Sequence, residues 1–176
     1  KIMRRNVFAL FISIVLLFQQ CFFFVPAAEA ADADIVVTEI AAYESSGCEW
    51  IEIFHTGTET VSLEGWRFWE NDTNHGLVIS SSSLHQDWTI EPGEYAIIAQ
   101  DDARLFSSDC AGYASPDGTV FDSSWGSLNE GGELIGLKNS TDSFVEQFAY
   151  LAAPDHSLER RDAALAEYSG ANWGEH

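Results

Sequence analysis

From residue 35 onward, short runs of apolar side chains alternate with clusters of turn-forming residues. The runs are five to nine residues long and rich in β-branched and aromatic side chains, which is typical of strands. Gly, Pro, Asn and Asp punctuate the gaps between them. Strands are predicted at 35–43, 49–55, 66–71, 76–80, 94–100, 132–139 and 142–150. Their close and regular spacing predicts an all-β sandwich or barrel.

Only two segments have helical character. Residues 100–106, with Asp101 or Asp102 as the N-cap, predict a single helical turn. Residues 157–168 near the end of the chain have the composition of a helix.

In the strand predicted over 49–55, residues two apart share a face. Trp50, Glu52 and Phe54 lie on one side, and two isoleucines and His55 lie on the other. We expect the isoleucine face to point inward. Glu52 is then expected between two aromatic rings, at a sheet edge or under a loop, as a buried hydrogen-bond acceptor for a neighbouring turn.

The first 30 residues resemble a targeting segment rather than part of the fold. Three basic residues among the first five precede an apolar run at 7–18 and small residues at 28–30, the build of a secretory signal peptide cleaved after Ala30. An uncleaved membrane anchor is the alternative, because apolar character resumes at 21–25. Since no later segment is apolar enough to span a bilayer, we expect a secreted or cell-surface domain without membrane insertion.

The chain is strongly acidic, with a formal net charge of −20. Removal of residues 1–30 takes away three of the eight Lys and Arg but only one of the 28 acids, which leaves −22. Such a surface repels phosphate backbones and anionic membranes, so no nucleic-acid partner is expected. Solubility outside the cell or adaptation to salt explains this acidity, with specific cation binding as the alternative.

Cys48 and Cys110 remain after signal cleavage. A lone cysteine pair in an exported chain meets oxidising conditions, so a Cys48–Cys110 disulfide is predicted. It would close a loop of about 60 residues and stabilise the fold by roughly 4 kcal/mol. A two-cysteine metal site is the alternative, but no further cysteine or paired histidine lies at ligand spacing.

Four blocks in order, EWIEIFHTGTETVSLEGWRF, IEPGEYAIIA, WGSLNEGGELIGLKNSTDSFVEQFAY and SLERRD, resemble the lamin tail domain family, in its secreted bacterial form. The resemblance spans about residues 35–161, and His55 departs from it, because such members usually carry Asn before the turn. We therefore expect 31–161 to form the domain and 162–176 a truncated C-terminal segment. The signature residues are Glu49, Trp50, Glu52, Gly65, Trp66, Pro92 and Gly93.

The resemblance implies an immunoglobulin-like β-sandwich of two antiparallel sheets. It also implies a non-catalytic module, of the kind fused to secreted nucleases or phosphoesterases and thought to aid attachment. Because basic residues are sparse, the nucleic-acid contacts of animal lamin tails are not carried over.

Glu49, Glu52 and His55 are the most concentrated candidates for acid/base or metal chemistry. At strand rise Glu49 and His55 are about 20 Å apart, so the group does not converge and we assign no catalytic residue. The other histidines lack the i, i+4 spacing of a helical zinc site, so they are expected at the surface, and no metal site or cofactor is expected. They are His75, His85, His156 and His176.

Two further binding hypotheses stay open. The acidic stretches 100–110 and 115–124 could supply oxygen ligands to calcium, although the Asp-x-Asp-x-Asp-Gly loop is missing. Trp69 or Trp88, beside polar loops, could be exposed and form a platform for sugars.

The sequence therefore predicts a secreted, non-catalytic binding or attachment module, part of a larger extracellular protein, whose partner is an unknown protein or a cell-surface glycan. The alternative is an accessory domain of a secreted metal-dependent hydrolase or phosphoesterase, or such an enzyme itself.

Overall fold

A computed structural model describes residues 32–110, 113–114, 117–165 and 168–176. The predicted signal peptide, residues 1–30, lies outside the described residues. The first seven strands are β1 (Ile35–Ala41), β2 (Trp50–His55), β3 (Val61–Ser62), β4 (Arg67–Glu70), β5 (Thr73–Gly76), β6 (Val78–Ile79) and β7 (Thr89–Ile90). The remaining elements are β8 (Tyr95–Ala99), a helical turn α1 (Asp102–Leu105), β9 (Thr119–Asp122), β10 (Leu134–Lys138), β11 (Phe144–Ala149), β12 (Leu158–Arg160) and β13 (Trp173–Glu175).

The strands form two main sheets and a ribbon. A seven-stranded sheet has the order β13-β12-β1-β2-β8-β9-β6, and a four-stranded sheet has the order β11-β10-β4-β5. Strands β3 and β7 pair by themselves. All pairs are antiparallel except β8 and β9, which run parallel. The predicted all-β sandwich is confirmed, with this one parallel pair added.

The hydrophobic core fills the space between the two main sheets. Ile51 and Ile53 of β2 and Phe121 of β9 meet Phe68 of β4 and Ile135 of β10 in one cluster of fully buried side chains. The inward orientation of the isoleucine face of β2 is therefore confirmed, and His55 on the same face is also fully buried.

Residues 76–80, predicted as one strand, divide between the two sheets. Strand β5 ends at Gly76 and pairs with β4, whereas β6 begins at Val78 and pairs with β9. Leu77, between them, is buried in the core. The chain crosses from one sheet to the other here, so a single run of apolar residues serves two strands.

The strand predicted over 66–71 ends earlier, at Glu70. Asn71 and Asp72 have φ angles of 48° and 59° and form the two-residue turn between β4 and β5. Asn and Asp tolerate this left-handed conformation better than other non-glycine residues, and it matches the twist of a tight hairpin.

The helix predicted over 157–168 is wrong, because β12 occupies Leu158–Arg160. Strand β12 pairs with β1 on one side and with β13 on the other. Arg160 is buried and its guanidinium Nη1 donates to Val37 O at 2.9 Å and to Glu146 Oε1 at 2.8 Å. These tertiary contacts override a composition that favours a helix, and β13 brings part of 162–176 into the sheet.

The helical turn α1 agrees with the prediction, and Asp101 is its N-cap. Cys48 and Cys110 form a disulfide, with Cα atoms 5.5 Å apart. The disulfide ties the segment that contains α1 to the start of β2. Across the described residues, no helix has the length and apolar character needed to span a bilayer.

Candidate ligand-binding site on the outer sheet face

The seven-stranded sheet has one face turned away from the core. Cross-strand register assigns side chains to it: Glu52 lies opposite Glu39 and Ile97, and Phe54 lies opposite Val36 and Tyr95. All of them are half-buried except Tyr95, which is exposed. We call this surface the outer face and define it by Val36, Glu39, Trp50, Glu52, Phe54, Tyr95 and Ile97.

The disulfide-tied segment covers one end of the outer face. Trp50, Ile97 and Phe106 pack against the small cluster formed by the two cysteines, Ala99 and Leu105. The ring of Tyr113 meets that of Trp50 edge-on at 6.0 Å between centroids. A hollow of about 260 Å³ remains between these rings and Ile97.

The other end of the outer face is open to solvent. The rings of Phe54 and Tyr95 lie 4.4 Å apart between centroids, and Tyr95 is 53% exposed. A pocket of about 270 Å³ adjoins Tyr95. We call it the acidic pocket, and its lining includes Glu52, His85, Glu94, Tyr95, Ile97, Asp117 and Thr119. No Lys or Arg lines it within the described part of the chain.

Three glutamates form a row across the outer face beside this pocket. Glu39 of β1 lies directly opposite Glu52 of β2 on one side and Glu159 of β12 on the other. Like charges placed opposite each other on neighbouring strands destabilise a sheet. The exposed imidazole of His176 lies 3.7 Å from Glu39 and 3.8 Å from Glu159.

Glu52 accepts a hydrogen bond from Thr38 Oγ1 at 2.7 Å, so it is an acceptor as predicted, but its donor lies in the neighbouring strand β1 and not in a turn. The register of β1 shifts between Val37 and Glu39, which leaves Thr38 as an extra residue in the strand. Burial raises the pKa of Glu52, and the charges of Glu39 and Glu159 add to the rise, although the bond from Thr38 opposes it. The expected edge position is wrong, because β2 is an inner strand between β1 and β8.

Glu49, directly before β2, has a structural role on the face opposite the outer face. Its Oε2 accepts hydrogen bonds from Trp125 Nε1 at 2.7 Å and from the backbone N–H of Leu128 at 2.8 Å. The residue is 1% exposed. Burial raises the pKa of the Glu49 carboxyl, although both hydrogen bonds favour its charged form. Glu49 therefore holds the loop before β10 against the start of β2.

His55 closes the turn that follows β2. Its Nδ1 accepts from the backbone N–H of Gly57 at 3.0 Å, so Nε2 carries the proton and donates to Glu59 O at 2.6 Å. Glu49, Glu52 and His55 thus each have separate partners, and the structure does not bring them together. The bonds of His55 satisfy the turn at the position where the sequence departs from the family pattern.

The other signature residues form turns and core. Trp66 is 2% exposed, and Gly65 before it has a φ of 78°, a left-handed conformation that favours glycine. Gly93, after Pro92, has a φ of 81° in the turn that leads into β8. Trp50 lies on the outer face described above.

Three of the five aspartates in the stretches considered for calcium accept hydrogen bonds from the protein itself. Asp101 accepts from the backbone N–H of Arg104 at 3.0 Å, and Asp122 Oδ1 accepts from the backbone N–H of Asp102 at 2.9 Å. The carboxylate of Asp102 accepts from Ser80 Oγ. Among the described residues, no group of three or more His, Cys, Asp or Glu could hold a metal ion.

Of the two tryptophans considered as a platform for sugars, the expected exposure of Trp69 is wrong, because Trp69 is only 8% exposed. Phe144 packs edge-on against its ring at 5.2 Å between centroids and covers it. Trp88 is half-buried, and its ring stacks on Phe121 at 5.7 Å. Of the histidines expected at the surface, three are exposed, but His75 is largely covered and lies 3.1 Å from Glu70.

The acidic pocket was not predicted from the sequence. Its residues come from the three strands β2, β8 and β9, from the turn before β8, and from the loops at His85 and Asp117. The only local signal was Tyr95, which stands two positions before Ile97 and therefore shares its face.

The fold, the turn glycines and the buried anchors define an immunoglobulin-like β-sandwich. The chain belongs to the lamin tail domain family, whose model, described as Lamin Tail Domain, matches residues 28–152. No curated protein matches the chain. The family match ends before β12, so two strands of the seven-stranded sheet, β12 and β13, lie beyond the matched residues.

Proposed function

We propose that this protein is an exported, non-catalytic attachment module of lamin-tail type, which holds a protein or a glycan on its outer face. The observation that carries the proposal is the open end of that face. Tyr95, whose ring is tilted against that of Phe54, is a large aromatic side chain left 53% exposed beside a pocket. Tyrosine contributes strongly to binding surfaces, because it offers a large, rigid contact area with a polar tip.

Two further observations support a stable module outside the cell. The Cys48–Cys110 disulfide suits an oxidising compartment. The candidate acid/base residues already have structural tasks: Glu49 anchors a loop, and His55 closes a turn. An attachment module needs a rigid scaffold and a surface free to bind. Glu49 and His55 help to hold the scaffold, and the outer face provides the surface.

Attachment is tested with fluorescently labelled protein on a glycan array and on intact cells of the source organism. Tyr95→Ser should abolish retention. Leu134→Ser is the matched control, because Leu134 is 45% exposed on the four-stranded sheet and should be dispensable. Equal retention by wild type and Tyr95→Ser would show that the open end of the outer face does not mediate attachment.

The enzymatic alternative is tested in parallel with phosphodiester, ester and glycoside substrates in Mn²⁺, Zn²⁺ or Ca²⁺. We expect no turnover. Turnover that is lost in Glu52→Gln would refute the non-catalytic proposal, because Glu52 is the outer-face carboxylate that also lines the pocket.

A further inference from the structure

We propose that the partner of the outer face is a protein segment in extended conformation, whose Lys or Arg side chain enters the acidic pocket while the apolar side chains two positions before and after it lie on Phe54 and Ile97. This inference rests on the proposed function and names the chemistry of its partner. Four features of the surface lead to it.

The first feature is the shape and apolarity of the uncovered sheet face. Val36, Phe54 and Ile97 are half-buried; Phe54 lies between Val36 and the exposed Tyr95 on adjacent strands, and Ile97 follows two positions after Tyr95 on the same face, opposite Glu52. An apolar strip of this kind suits the alternate side chains of an extended segment. The pocket of about 270 Å³ lies beside the strip and has room for one long side chain.

The second feature is charge. Glu52, Glu94 and Asp117 surround the acidic pocket, and His85 is the only basic side chain among its described lining residues. Glu94 also accepts from the backbone N–H of Glu91 at 2.8 Å, which holds its carboxylate at the pocket rim. Carboxylates around an apolar wall favour a cation with a long aliphatic stem, which is the chemistry of Lys and Arg.

The third feature is the repulsion stored in the glutamate row. Glu39 faces Glu52 and Glu159 across the sheet, where opposite charges would have been more stable, and the imidazole of His176 lies beside Glu39 and Glu159 but not beside Glu52. A cation placed beside Glu52 would relieve part of this repulsion. Such local conflicts are common where a surface is shaped for binding rather than for stability.

Tyr95 gives the pocket a further preference for cations. Its ring lies against that of Phe54 at 4.4 Å between centroids, and the residue is 53% exposed and lines the pocket. A Lys or Arg over a tyrosine face gains a cation–π contact that a neutral side chain lacks.

The test measures fluorescence anisotropy of a labelled peptide, Gly-Val-Ser-Lys-Ser-Val-Gly, in which the Lys and both Val side chains share one face of the extended chain, against the same peptide with Gln in place of Lys. The basic peptide should bind at least tenfold more tightly at low salt. Its affinity should fall as the salt concentration rises, because exposed charges are screened beyond about 10 Å at 0.1 M.

Two protein variants locate the site. The double variant Glu94→Gln/Asp117→Asn should weaken the basic peptide about tenfold and leave the Gln peptide unchanged. Tyr95→Leu keeps apolar area but removes the aromatic face, and should weaken the basic peptide about threefold. Glu64→Gln is the matched control, because Glu64 is an exposed acid in the turn before Trp66 and should have no effect.

The inference is overturned if the two peptides bind within twofold of each other, or if Glu64→Gln weakens binding as much as the double variant. Binding of a free amine such as spermidine as tight as that of the basic peptide would also overturn it, because the segment would then contribute nothing. If neither peptide binds but Tyr95-dependent retention on cells or glycans persists, this inference is overturned and the attachment proposal remains. If there is neither peptide binding nor Tyr95-dependent retention, the outer face is not the binding surface.

Discussion

The buried carboxylate of Glu49 offers the sharpest test of how this fold is held together. Its Oε2 is the acceptor for Trp125 Nε1 and for the Leu128 backbone N–H, which are 76 and 79 residues away along the chain. Glu49→Ala removes this acceptor and leaves both buried donors without a partner. Each unsatisfied buried donor costs about 1–3 kcal/mol. The substitution also relieves the burial of a charge, so we expect a net loss of about 3 kcal/mol.

Glu49→Gln separates the hydrogen bonds from the charge. Both donors use the same carboxylate oxygen, so the single amide oxygen of Gln can accept from both of them in a side chain of the same shape. Burial of a neutral amide costs less than burial of a carboxylate. We therefore expect Glu49→Gln to lie within about 1 kcal/mol of wild type.

Urea unfolding followed by tryptophan fluorescence measures both effects, provided that the m-values of the variants agree. The exposed Glu64→Ala serves as control and should be nearly neutral. A loss below about 0.5 kcal/mol for Glu49→Ala would refute the anchoring role. Equal losses for Glu49→Ala and Glu49→Gln would show that the charge, and not the acceptor geometry, stabilises the loop.

Three more predictions concern the disulfide, the four-stranded sheet and pH. Replacement of both Cys48 and Cys110 with Ser should cost about 4 kcal/mol in urea unfolding, because the closed loop spans 62 positions; an unchanged midpoint contradicts this. Gly136→Ala should cost about 1–2 kcal/mol, since its Cβ would lie 2.7 Å from the Phe144 ring that covers the sheet, whereas Gly76→Ala meets nothing within 4 Å and should be tolerated. Because burial raises the pKa of Glu52 above its ordinary value of 4.5, the native state binds more protons than the unfolded state just above that pH, so Glu52 contributes stability that increases as pH falls from neutral toward 4.5. The gain in melting temperature between pH 7 and pH 5.5 should be smaller in Glu52→Gln, and an identical gain in both proteins would contradict this assignment.

Much of the fold could be predicted because strands carry a local signal. Alternation with period two placed Ile51 and Ile53 inward, and this inference needs only the geometry of one strand. The helical turn with Asp101 as its N-cap was equally local, since the cap bonds a backbone N–H three residues away. The cysteine pair could be assigned because only two cysteines remained to be paired.

The candidate site depended instead on contacts between distant segments. Alternation placed Glu52 beside aromatic rings but could not identify β2 as an inner strand, and it gave no sign that β12 would add Glu159 to the same row. Likewise, Trp69 is covered only because Phe144 lies across Gly136 on the adjacent strand.

By itself, the sequence determined the all-β class, the inward face of β2, the disulfide and the acidity of the surface. These properties follow from local periodicity, turn chemistry and composition, which act over a few residues or over the whole chain at once. Only the tertiary structure decided which carboxylates became loop anchors and which came to surround a pocket beside Tyr95. Strand order and register bring such groups together from opposite parts of the chain, and no local pattern specifies either of them.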